Sequence, residues 1–200
     1  MQQRPREPGT GSSIPVVALV GHSGSGKTTL LVKLIRELKR RGYRLAAVKH
    51  HHHADLELDQ PGKDSWRFAE AGADHVVIAG PNRVIDIRTF EEEATLEQAL
   101  GAIQDVDLVL IEGFKQADVP KIEVNRDQPE SDLITPHDRL VAIVADRRFD
   151  ADVPQLDLDD VVGLADTIEA CFIIQNCLSR TEEGRHATAT LPKEPCRPAL

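Results

Sequence analysis

"IPVVALVGHSGSGKTTLLVKLIRELKRRG", residues 14–42, is the stretch that decides the fold. Residues 14–20 are a short apolar run rich in valine, as a strand buried on both faces requires. From residue 27 the pattern changes period. Leu30, Leu31, Leu34, Ile35 and Leu38 recur at helical spacing, with Lys33, Arg36, Lys39 and Arg40 on the other side. Gly42 stands where a helix-terminating glycine belongs. Between strand and helix lies "GHSGSGKT", Gly21–Thr28, which fits G-x-x-x-x-G-K-[ST] at every required position. Glycines let the backbone wrap so that successive N–H groups form an anion cradle. The helix adds the partial positive charge of its N-terminus. Lys27 reaches the β- and γ-phosphates of a nucleotide, and the Thr28 hydroxyl ligates the Mg²⁺ that bridges them. The expected nucleotide-binding set is Gly21, Ser23, Gly24, Ser25, Gly26, Lys27, Thr28 and Thr29.

Working outward, "YRLAAVKH" (43–50) reads as a second strand. It completes a β-loop-α-β unit whose crossover is right-handed. "PGKDSWRFAEAGA" (61–73) begins with a turn and predicts a short helix over about 63–71. "DHVVIAG" (74–80) is a strand, and "RVIDIRTF" (83–90) alternates like a half-exposed edge strand. "EEEATLEQALGAI" (91–103) predicts a helix with an acidic first turn. "VDLVLIEGF" (106–114), "PKIEVNR" (120–126) and "LVAIVAD" (140–146) are further strands, and "LADTIEACFIIQNCLSR" (164–180) is a C-terminal helix. Strands alternating with helices around this loop imply an α/β fold of the P-loop NTPase kind, with a mostly parallel central sheet flanked by helices. The expected organisation is a disordered leader over 1–13, one nucleotide-binding domain over 14–180 and a disordered tail over 181–200.

Composition removes several function classes. Thirty-three acidic against 24 basic residues leave a formal charge of −9, which opposes nonspecific nucleic-acid binding and anionic membrane surfaces. No run of about 18 apolar residues exists to span a bilayer, and "MQQRPREPGTGSS" lacks the apolar core of a signal peptide. Cys171, Cys177 and Cys196 form no C-x-x-C pair. The expectation is a reduced, cytoplasmic protein without a cysteine-ligated zinc site.

A phosphate loop that uses Mg²⁺ needs a carboxylate at the end of a neighbouring buried strand. "VDLVLIEGF" supplies Glu112, delivered by Leu108–Ile111 to the strand's C-terminal edge, where ligands sit in such sheets. Gly113 then lets the chain turn close to a phosphate. The alternative is that Glu112 only solvates a strand end.

"GxSGSGKTTLL", "VKHxHH", "D-x-PGKDSWR-x-x-x-AGA", "LVLIEGFK" and "PKIEV" occur in one order over residues 14–175. Together they resemble the molybdopterin-guanine dinucleotide biosynthesis adaptor family, MobB. The phosphate loop is common to many families, whereas PGKDS and EGFK-x(5)-KIE are far more specific. The resemblance implies a homodimeric P-loop GTP-binding protein with at most weak GTPase activity. Such a protein assists attachment of GMP to molybdopterin, while the guanylyl transfer belongs to a partner guanylyltransferase, MobA. Beyond the loop and Glu112, the resemblance carries over Lys49, His50, His52, His53, Asp59, Lys63, Asp64, Ser65, Gly113 and Lys115 as substrate or switch positions, and Gly62 and Lys121 with no role, without fixing most of their jobs. The catalytic residues stay unassigned.

Several of these positions have rival readings. His50–His53 follow a strand in mid-chain, which excludes a purification tag. In an extended segment His50 and His52 face one side and His51 and His53 the other, which is fewer ligands than a stable metal site needs. A charged rim beside the phosphates, a solvated or dimer surface and a metal site remain the three readings. Asp64 and Ser65 either cap a helix or belong to a loop that senses the γ-phosphate. The guanine motif N-K-x-D is absent, since "NRDQ" (125–128) has its acid one residue early. Asp146 either accepts hydrogen bonds from a guanine or begins a turn. Two other functions are open: a nickel-delivery GTPase, invited by the histidines, and a small-molecule P-loop kinase.

Overall fold

The computed structural model describes residues 14–51, 61–126 and 132–174. These residues divide into two compact units, one within Met1–His50 and Ile103–Leu200, the other within His51–Ala102.

The first unit is built on a six-stranded sheet. Its strands are β1 (Val16–Val20), β2 (Leu45–Lys49), β5 (Leu108–Glu112), β6 (Lys121–Asn125), β7 (Leu140–Ala145) and β8 (Gln155–Leu156), in the spatial order β2-β5-β1-β6-β7-β8. Every pairing is parallel. Parallel pairing puts the C-terminal ends of β1, β2, β5, β6 and β7 on one edge, and that edge carries the site.

Helix α1 (Lys27–Arg40) follows β1 as its apolar spacing requires, with Leu30, Leu31, Leu34 and Leu38 buried. They pack with Val17, Leu19, Leu108, Leu110, Ile122 and Val124 of the sheet and with Leu164, Ala165 and Ile168 of helix α4 (Val161–Ile168). Each fully buried leucine of this kind contributes about 1.5–3 kcal/mol. Helix α4 starts where the Asp160 side chain accepts from the Gly163 N–H at 2.9 Å, and it continues as a π-helical segment, Glu169–Ile174. The predicted helix over 164–180 therefore begins three residues early, at Val161; residues 175–180 lie outside the described residues. On the opposite face of the sheet, Glu123 is fully buried in β6. Its carboxylate accepts from the backbone N–H groups of Ile134 and Thr135 at 2.9–3.1 Å, which supplies the hydrogen bonds a buried charge needs.

The second unit contains α2 (Asp64–Glu70), an antiparallel pair of β3 (His75–Ala79) and β4 (Val84–Arg88), and α3 (Leu96–Leu100). Among the described residues, the strand expected over 83–90 pairs only with β3, in a two-stranded sheet. The helix expected over 91–103 is shorter than predicted. Thr95 and Gln98 form a capping box at its start, so the acidic run at 91–93 precedes the helix and does not form its first turn. A side chain that captures the N3 amide sets a helix start more firmly than the favourable dipole of upstream acids.

Candidate functional site

The phosphate loop leaves β1 through Gly21, whose φ of 145° and close approach to the neighbouring strand admit no side chain. A Cβ there would stand 2.2 Å from the Val124 carbonyl oxygen. The loop closes on Gly26, which ends the turn and caps α1. Leu30 N–H donates to the Gly26 carbonyl at 2.9 Å, so the free N–H groups of the helix start are gathered at the loop. Ser25 is buried in it, Ser23, Thr28 and Thr29 are exposed, and Lys27 is half-buried. Lys27 Nζ donates to the His22 carbonyl at 2.6 Å, across the loop.

Glu112 reaches this loop from the next strand. The register pairs Leu19 with Glu112 on one side and Lys49 with Glu112 on the other. Thr28 Oγ1 donates to Glu112 Oε1 at 2.8 Å, and Lys49 Nζ donates to the same oxygen at 2.7 Å. The Glu112 side chain is only 11% exposed and is held by these two residues. Burial works to raise its pKa. The hydrogen bonds from Lys49 and Thr28 and the charges of Lys49 and Lys27 outweigh it, and the carboxyl stays below its ordinary range. Burial lowers the Lys27 pKa, helped by the positive charge of Lys115 and then of Lys49, with Glu112 opposing them. Two ammonium groups, of Lys49 and Lys27, act on the one carboxylate, and Lys115 acts on Lys27, so positive charge is in excess, which suits a polyphosphate.

His50 continues β2 past Lys49 and is locked to the turn after Glu112. Its N–H donates to the Glu112 carbonyl at 2.9 Å. Its ring stacks on Phe114 with centroids 4.1 Å apart and planes at 18°. Gly113 makes the approach possible: at φ 100° a Cβ would stand 2.8 Å from the His50 Cβ. The chain turns through Gly113 as expected, but its tight neighbour is the His50 side chain.

The sheet edge gathers the loop, Lys49, His50, Glu112, Gly113 and Lys115 in the first unit. Asp146, exposed, follows β7 on the same edge, two strands from β1. Lys63, Asp64 and Ser65 belong to the second unit, where with Phe68 and residues 76–79 they line a cleft of about 490 Å³. Lys63 is the N-cap of α2 and makes no side-chain capping bond; Asp64 lies in the first turn. His52, His53 and Asp59 lie outside the described residues. Among the described residues, no group of three or more His, Cys, Asp or Glu side chains converges as metal ligands, and no helix is long and apolar enough to cross a membrane.

Arg126 adjoins the loop, a placement that sequence reasoning missed. It follows β6, and its guanidinium carbon lies 3.6 Å from where a Gly26 Cβ would stand, with both terminal nitrogens at 3.7 Å. Such nearly equal distances mean that the planar group lies flat against the loop. The signal was its place one residue beyond a buried strand, useful only once β6 is known to lie beside β1.

The family model described as "Molybdopterin guanine dinucleotide synthesis protein B" (MobB) matches residues 16–146. The molybdopterin-guanine dinucleotide biosynthesis adapter protein of Escherichia coli (strain K12) is 41% identical over 171 residues, 82% of this chain and 96% of that protein. The adapter protein of Haemophilus influenzae is 37% identical over 160 residues, 79% and 89% of the two chains. Among solved structures, a crystal structure of molybdopterin-guanine biosynthesis protein B aligns with a TM-score of 0.62 at 34% identity, covering 76% of this chain and 97% of the other. Bacillus subtilis MobB aligns with a TM-score of 0.61 at 27% identity, covering 77% and 95%.

Proposed function

The chain belongs to the molybdopterin guanine dinucleotide synthesis protein B family, and from that membership we propose that it is a GTP-binding adapter in molybdopterin-guanine dinucleotide biosynthesis. In this reading it acts in the cytoplasm as a homodimer. It presents GTP or the molybdopterin acceptor to a guanylyltransferase of the MobA kind. It is accessory to the transfer reaction and hydrolyses GTP slowly at most.

The observation that carries the nucleotide part is the convergence of Thr28 and Lys49 on one oxygen of Glu112, beside the loop that holds Lys27. Mg²⁺ takes hard oxygen ligands and keeps several waters, so one or two protein groups suffice. A hydroxyl and a carboxylate 2.8 Å apart are such a pair, and the carboxylate oxygen already faces a cation, the Lys49 ammonium. The donor set therefore fits Mg²⁺, with Thr28 and Glu112 holding it. When bound, the ion neutralises phosphate charge. Lys27 supplies a hydrogen bond and a charge to the outer phosphates after leaving the His22 carbonyl. Loop N–H groups take the inner phosphate oxygens. Asp146, at the end of β7, is assigned to the base. Lys63, Asp64 and Ser65 line the cleft of the other unit and are carried as substrate positions there.

Binding of a fluorescent GTP analogue, with competition by GTP and ATP, tests the first half. GTP should displace it better than ATP. Lys27→Ala should weaken binding by roughly 10- to 100-fold, the worth of one or two hydrogen bonds between charged groups. Equal displacement by GTP and ATP would remove the guanine assignment, and unchanged affinity in Lys27→Ala would remove the phosphate-loop assignment. Co-purification of the guanylyltransferase on immobilised chain, with and without GTP, tests the adapter role; no retention in either condition counts against it.

A further inference from the structure

We propose that Lys49 is a tethered cation: it neutralises the metal-facing oxygen of Glu112 until a divalent ion arrives, then yields that oxygen to the ion. The proposal rests on the reading of Thr28 and Glu112 as the Mg²⁺ pair, and it says how that pair is regulated.

Geometry favours the exchange. Glu112 Oε1 already accepts from Thr28 at 2.8 Å and from Lys49 at 2.7 Å. A Mg²⁺ ion at about 2.0–2.1 Å from the same oxygen would stand less than about 5 Å from the ammonium, where the two cations repel. The ammonium and the ion therefore compete for that oxygen.

Exposure says which group moves. The Lys49 side chain is 58% exposed, against 11% for Glu112. Glu112 ends a fully buried strand, paired with Leu19 on one side and Lys49 on the other. The backbone behind Lys49 is fixed as well, through the His50 N–H on the Glu112 carbonyl and the close packing of Gly113 on His50. Only the flexible stem of Lys49 is free to swing. Its fixed root keeps the ammonium at the C-terminal edge of the sheet, where β2 and β5 are in register.

The arrangement has a thermodynamic consequence. Lys49 competes with Mg²⁺ for Glu112, and it also shields incoming phosphates from the Glu112 charge when Mg²⁺ is absent. Removing the ammonium should make nucleotide binding more dependent on Mg²⁺.

The test measures affinity for the fluorescent GTP analogue on the full chain, in EDTA and through a Mg²⁺ titration. For Lys49→Met the Mg²⁺ concentration at half-effect should fall by about five- to tenfold, and the Mg²⁺-free affinity should weaken by a similar factor, as expected for a half-exposed ion pair. Lys49→Arg should restore the wild-type Mg²⁺ dependence, because it keeps the charge. Lys33→Met serves as the comparator. Lys33 makes an equally short bridge to Asp159, 2.7 Å, away from Glu112, and its loss should leave the Mg²⁺ dependence unchanged. Equal weakening by Lys49→Met with and without Mg²⁺ would make Lys49 a permanent phosphate ligand and overturn the proposal. An unchanged Mg²⁺ midpoint, or failure of Lys49→Arg to restore it, would overturn it too. Absence of any GTP binding by the wild-type chain would instead remove the nucleotide reading itself.

Discussion

A methyl group on residue 21 would stand 2.2 Å from the Val124 carbonyl oxygen, on a backbone at φ 145°. Both the contact and the dihedral oppose any side chain, so β6 would have to move away from β1 to admit one. Gly21→Ala should therefore destabilise the protein by roughly 3 kcal/mol, summing backbone strain and overpacking, and should lower nucleotide affinity in the surviving folded fraction. Urea denaturation alongside the fluorescent binding assay checks both. A variant with wild-type stability would show that the loop start is more pliable than this geometry allows. At this scale the loop between β1 and α1 was legible because its residues are contiguous. The place of Glu112 was legible because a buried strand delivers it to an edge. The link from Lys49 to Glu112 was not, since it depends on β2 and β5 being neighbours in register, and no local pattern encodes that. Arg126 against Gly26 was hidden for the same reason.

Among the elements, α1 is fastened at its C-terminal end by an ionic cluster. Arg41 donates to Glu37 at 2.8 Å, to Asp166 at 2.6 Å and to Glu169 at 2.5 Å, joining α1 to α4 and the π-helical segment. Arg40 also bonds Glu37, at 2.7 and 2.8 Å. The hydrogen bonds from Arg40, and then Arg41, hold the Glu37 pKa at about 2, against an ordinary 4.5. The pKa is lower in the folded chain than in the unfolded one, so the carboxylate's contribution is fully present above the unfolded value. It is lost as pH falls through the folded value. Wild type should melt higher than Glu37→Gln at neutral pH, and the gap should close between about pH 4.5 and 2. Thermal melts of both proteins across that range decide it, and a gap that persists down to pH 2 would contradict the assignment. The strands of the main sheet were readable as apolar runs, with β8 too short, at two residues, to leave a pattern. Helix ends were less readable. Thr95 starts α3 and Asp160 starts α4 through side-chain capping, and those local bonds override the acidic and apolar runs from which the ends were inferred.

For the whole molecule, parallel order and the phosphate edge follow from alternating periods in the sequence, whereas the division into two compact units does not. Residues 51–102 contain amphipathic segments that look like ordinary parts of an α/β layer. What sets them apart is pairing: β3 and β4 bond only to each other among the described residues. A two-stranded sheet is marginal alone, and this one leaves much apolar surface in water. Val77 is 54% exposed and Val84 63%, while Phe68 of α2 is 59% exposed. Val77, Ala79 and Val84 share one face of the pair with His75, Asp86 and Arg88 by register. A hairpin with exposed valines beside a small ionic cluster suits a second copy, since a two-fold axis brings the same patch from each chain together. The proposed homodimer is therefore expected to use this hairpin. Val77→Lys combined with Val84→Lys should change the mass in light scattering from twice the 22.0 kDa chain to one chain. GTP affinity should stay intact, because Lys27, Thr28 and Glu112 lie in the other unit. If the wild-type chain is monomeric at micromolar concentration, the homodimer falls. If the double variant stays dimeric, the interface lies elsewhere and the exposed valines must face a different partner.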